Sequence, residues 1–118
     1  MAIELPVDYR DIPIENYIRL CGAILSSAGN DYRTSCINLV GLYYSCTHRN
    51  HTQKLIDKIK YNLAELYYCQ QFFRSELYNL MCDIDGQYVI DATMEDTGLT
   101  NEMITFLRDF VHEEKEAK

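Results

Sequence analysis

Tryptophan is absent from this chain, and proline (two residues) and glycine (five) are scarce. With so few breakers, a fold made of many short strands and tight turns is not expected. Nor is there an apolar run long enough to span a bilayer. Met1–Arg10 carries charge and Pro6 and has no apolar signal-peptide core. Basic residues are few as well: 11 Lys and Arg against 18 Asp and Glu, a net charge of −7. Binding to a phosphate backbone draws on an excess of cations, so direct nucleic-acid binding is not expected as the main activity. The field of an acidic protein instead steers encounters with basic partners. No CxxC pair, P-loop, dinucleotide-binding glycine pattern or nucleophile elbow occurs, so no cofactor is expected. The five cysteines, Cys21, Cys36, Cys46, Cys69 and Cys82, are odd in number and match no disulfide framework. They point to a reducing, cytoplasmic setting with most thiols free and buried.

What is present suits a folded helical domain. The hydrophobic fraction of 47% is too high for a disordered chain of this charge, and 118 residues are enough for one core. Ten tyrosines and four phenylalanines provide large apolar bodies, most with a polar tip suited to half-buried sites and interfaces. A single helical domain is expected over 1–118. It would include an irregular N-terminal arm over 1–10 and a fraying polar tail over 113–118.

The periodicity predicts an all-α bundle of about four helices. A first helix is expected from about Ile12 to Ala28, capped by Asp11 with Pro13 in its first turn. Its apolar stripe is Ile14, Tyr17, Ile18, Cys21, Ile24 and Leu25. Gly29 suits a helix stop, and Asn30 can cap a second helix from Asp31 to Thr47, giving an antiparallel hairpin. One long central helix is then expected over about 51–84, with Asn50 and Gln53 resembling a capping box. No Gly or Pro occurs from Thr52 to Asp83. Ile56, Ile59, Leu63, Leu66, Gln70, Phe73, Leu77, Leu80 and Ile84 follow alternating steps of three and four, as in a coiled-coil seam. Such a helix would be about 50 Å long, against a radius of gyration of about 13–14 Å for a compact domain of this size. It must therefore project, break, or pack against a second chain. Asp85-Gly86 and Thr97-Gly98 act as breakers, so 85–99 is expected to be an irregular or β-like connection. Thr100 can cap a last helix through about Glu114, with Met103, Leu107, Phe110 and Val111 on one face.

Three groups carry candidate chemistry. Cys46, His48 and His51 supply three zinc-type ligands, with Cys36 as a conceivable fourth, though not at a standard spacing. Asp83, Asp85, Asp91 and Glu95 alternate like calcium ligands, but Tyr88 and Met94 stand where a calcium loop needs Gly and Glu, which favours a solvated turn. Arg108-Asp109-Phe110-Val111-His112 places Arg and His four apart on one helix face. Over these five residues it resembles the Arg–His pair of HEPN-type helical ribonucleases, with a shorter spacing. That resemblance implies His as acid or base and Arg as a phosphate-charge stabiliser, although Asp109, Glu113 and Glu114 would repel RNA.

Together these features point to a non-enzymatic helical interaction or regulatory protein that binds a protein partner and associates with itself. The expected interface is Ile56, Ile59, Leu63, Leu66, Tyr67, Tyr68, Gln70, Phe73 and Leu77. The first alternative is an acidic inhibitor whose carboxylates stand in for phosphates, of the kind carried by viruses or mobile elements. The second is the HEPN-like ribonuclease.

Overall fold

The computed structural model describes residues 14–48 and 52–116. They form an all-α bundle with no strand among them: α1 (Ile14–His48), α2 (Gln53–Phe73), α3 (Glu76–Met81), α4 (Gly86–Thr97) and α5 (Asn101–Glu116). The expected N-terminal arm, the Asp11 cap and Pro13 lie outside the described residues.

The two expected N-terminal helices are one. α1 runs through Gly29 and Asn30 without interruption. A mid-helix glycine costs about 1 kcal/mol relative to alanine. The burial of Ala28 and Tyr32 on either side outweighs that cost. The apolar stripe keeps its phase across the junction, from Ile24 and Leu25 to Ala28 and Tyr32.

α2 starts at Gln53, two residues later than expected, and Asn50 of the expected capping box lies outside the described residues. Thr52 is the cap, and its hydroxyl accepts from the Leu55 amide at 3.2 Å. The helix passes through Gln70 intact but ends at Phe73, so the expected single helix over 51–84 is broken. Ser75 causes the break by offering the backbone other partners. Its hydroxyl donates to the Phe72 carbonyl at 2.6 Å and accepts from the Tyr78 amide at 3.2 Å, which caps α3.

The stretch 85–99 is mostly helix, not a β-like connection. Its supposed breakers are the caps of α4: the Asp85 carboxylate accepts from the Gln87 amide at 3.1 Å, and Gly98 closes the helix at φ 80°. Tertiary burial of Ile90 overrides the strand preference of Tyr88-Val89-Ile90. Gly86 is needed for a different reason. A Cβ there would lie 1.7 Å from the Phe73 carbonyl oxygen, so the start of α4 is pressed against the backbone of α2. Thr100 caps α5 as expected, accepting from the Met103 amide at 3.2 Å.

α1 and α2 are antiparallel. Asn38 donates to Asn62 at 3.1 Å, and Gln70 donates to the Tyr32 hydroxyl at 3.2 Å. On that register the 21 residues of α2 pair with Ala28–His48. α4 and α5 close the other side of the pair, with Tyr32, Leu39, Ile59, Leu66, Ile90 and Leu107 fully or almost fully buried. The first four turns of α1, Ile14–Ser27, continue about 21 Å past the end of α2. The molecule accordingly measures 55 × 27 × 18 Å with a radius of gyration of 17.2 Å, well above that of a compact chain of this length.

Candidate interaction surface

From Ile56 to Phe73 the coiled-coil-like seam is used up inside the chain, whereas its last members, Leu80 and Ile84, are exposed. Ile56, Ile59, Leu63, Leu66, Gln70 and Phe73 are buried, and Leu77 is half-buried on α3. Gln70 has a specific role there. Its amide donates to Tyr32, whose hydroxyl donates to the Ile90 carbonyl at 3.3 Å, linking α2, α1 and α4. Of the nine residues of the expected interface, Tyr67 and Tyr68 reach the surface. The Arg108 guanidinium lies over the Tyr67 ring, 5.8 Å from its centroid. Tyr44, Tyr61 and Tyr88 are also exposed, whereas Tyr43 packs edge-on against Phe106.

A charge pattern hidden by the whole-chain count becomes clear on the fold. From Ser75 to Leu107 there is no Lys, Arg or His, and there are seven carboxylates. All seven are exposed: Glu76, Asp83, Asp85, Asp91, Glu95, Asp96 and Glu102. This stretch covers α3, α4 and the start of α5. It carries a charge equal to the net −7 of the chain, so the remaining sequence is balanced. The same stretch exposes Leu80 (78%), Ile84 (56%) and Tyr88 (65%). Cations from other helices meet it at its edges. Arg33 of α1 pairs with Asp96, and Arg74 donates to Gln87 at 3.0 Å. Both partners of the Arg33–Asp96 pair are largely exposed, so its contribution to stability is small.

Two hollows lie on the bundle surface, the larger of them bordered by this stretch. The larger, about 620 Å³, lies between α2, α4 and α5. Its lining includes Tyr67 and Arg74 of the α2 end, Asp91 and Glu95 of α4, and Glu102 and Arg108 of α5. The smaller, about 360 Å³, is lined by Lys60, Arg108, Asp109, Val111 and His112. The fold therefore brings Lys60 of α2 up to the Arg–His pair of α5.

The other candidates do not converge. Cys46 is buried in the α1 stripe, and Cys36 lies about 15 Å from it along the same helix, too far to share one ion. His51 is outside the described residues. Among the described residues no three His, Cys, Asp or Glu side chains come together as a metal site. Asp85 serves as a helix cap, with Asp83 in the preceding link. Burial raises the Cys46 thiol and pushes the Cys36 and Cys69 thiols up to about 11. Thiols in that state are poor nucleophiles at neutral pH. No helix among the described residues is long and apolar enough to cross a membrane.

In comparison with known proteins, no family model, curated protein or solved structure matches the chain.

Proposed function

We propose that this chain is a non-enzymatic interaction protein that presents the face formed by α3, α4 and the start of α5 to a basic protein partner. One observation carries the reading. Seven exposed carboxylates and no cation occupy the same stretch as exposed Leu80, Ile84 and Tyr88. Field lines from the carboxylates speed the approach of a cationic surface, and the apolar side chains supply contact energy once water is expelled. If the partner's usual ligand is a nucleic acid, the carboxylates take the place of phosphates and the protein acts as an inhibitor.

The test is capture of basic proteins from an extract of the source cell, comparing the wild type with a Tyr88→Ala/Asp91→Lys/Glu95→Lys variant. These three residues are exposed, so the variant should fold. A specific partner should bind the wild type, weaken as salt rises, and be lost from the variant. Displacement of that partner by duplex DNA would identify the inhibitor form. A partner that binds both proteins equally at all salt concentrations would refute the reading.

A second reading, the HEPN-like ribonuclease, draws support from Lys60 joining Arg108 and His112 around one hollow. It requires RNA cleavage that disappears in His112→Ala. Cleavage unaffected by that change, or none at all, removes it.

A further inference from the structure

We infer that the hollow between α2, α4 and α5 binds a small zwitterion of the amino-acid class, a molecule with an amine and a carboxylate on one short carbon skeleton. Binding there needs no protein partner. It therefore stands apart from the acidic-face reading, although Asp91, Glu95 and Glu102 belong to both surfaces.

At about 620 Å³ the hollow falls within the range of small-molecule sites, about 300–1,000 Å³. Its lining includes the buried apolar side chains Ile90, Leu99 and Ile104, which suit a carbon skeleton.

Gln70 points most directly to a ligand. It is only 8% exposed, and it borders the hollow. Its amide nitrogen donates to the Tyr32 hydroxyl at 3.2 Å, while its amide oxygen accepts no hydrogen bond from the described residues. No buried side-chain oxygen among those residues lacks a partner. This oxygen is therefore still reached from outside, and the hollow is the opening that Gln70 lines. A reachable acceptor on an otherwise buried amide is satisfied by an N–H donor, which an ammonium group supplies.

The charged groups around the hollow favour a molecule that carries both signs. Among the described residues, neither the Arg74 nor the Arg108 guanidinium forms an ion pair with Asp91, Glu95 or Glu102. Arg74 uses its Nε on Gln87, whose amide donates to Asp91 at 3.0 Å. Arg108 lies over the Tyr67 ring and makes no hydrogen bond to the described residues, and neither do the carboxylates of Glu95 and Glu102. A plain anion drawn to the guanidiniums is repelled by three carboxylates, and a plain cation drawn to the carboxylates is repelled by two guanidiniums. A zwitterion meets both sets. Its carboxylate matches the paired N–H donors of a guanidinium. Its ammonium matches the Gln70 oxygen and the carboxylates of Asp91 and Glu95, which lie one turn apart on α4.

The test titrates the common free amino acids into the full chain, followed by heteronuclear NMR and by Tm. Each is compared with the amine that lacks its carboxylate and the acid that lacks its amine; for leucine these are isopentylamine and isocaproate. At least one amino acid should bind with a Kd below about 1 mM, move the Gln70 side-chain amide signal and raise Tm. It should bind more tightly than either of its matched halves. Glu95→Gln and Arg108→Gln, both at exposed positions, should each weaken binding about tenfold and leave the Tm of the unliganded protein unchanged. Glu76→Gln, outside the hollow, should not weaken it. No binding by any amino acid at about 10 mM overturns the proposal. So does a matched amine or acid that binds as tightly as the amino acid, or binding that both hollow variants leave intact.

Discussion

The two halves of α1 have the same apolar period and different fates. In Ala28–His48 the stripe is covered by three helices and forms much of the core, with Tyr32, Cys36 and Leu39 fully buried. In Ile14–Ser27 a stripe of the same spacing runs past the end of α2 and leaves Ile14 and Ile18 in contact with water. A helical apolar face marks a surface that will be covered; it does not say by what. The covering element is decided by lengths elsewhere in the chain, here by the stop of α2 at Phe73.

This contrast predicts unequal costs. Leu39→Ala removes a fully buried side chain and should destabilise the protein by about 3–4 kcal/mol. Ile18→Ala should cost less than about 0.5 kcal/mol. Urea unfolding of both variants measures the difference, and similar costs would erase the distinction between the halves.

Alkali should attack the bundle half through its buried thiols. Burial raises Cys36 from its ordinary 9.0 to about 11, and Cys69 of α2 likewise. Between those values the unfolded chain ionises and the folded chain does not. The stabilisation is therefore complete below about pH 9 and is lost as pH rises to about 11. Tm measured across that range should fall, and replacing both cysteines with alanine should flatten the alkaline limb. An unchanged slope would show that these thiols are not the cause.

Gly29→Ala is the smallest test and has the opposite sign. A Cβ at Gly29 meets nothing within 4 Å, and the residue is helical, so alanine should stabilise by about 1 kcal/mol. A loss of stability would mean that α1 needs to bend there.

Parts of the fold were legible in the sequence because local chemistry and tertiary packing agree. Thr100 caps α5, and the seam from Ile56 to Phe73 faces the core. The misreadings came where they conflict. Gly29-Asn30 looks like a stop, but packing on both sides carries α1 through it. Arg74-Ser75 contains neither Gly nor Pro, yet the Ser75 hydroxyl ends α2. Asp85-Gly86 and Thr97-Gly98 read as breakers around an irregular or β-like connection, although the same residue types cap helices. Most of the expected interface is covered by the chain itself, because periodicity identifies what will be buried without saying whether the cover is the same chain. The acid-only stretch from Ser75 to Leu107 is visible in the sequence, but a net charge averages it away. Only the fold shows that all seven carboxylates are exposed together with Leu80, Ile84 and Tyr88.

Hydrogen exchange along α1 tests the division of this helix most directly. Amides of Ala28–His48 should be protected close to the level of global unfolding. Those of Ile14–Ser27 should exchange much faster. Uniform protection along α1 would contradict the account.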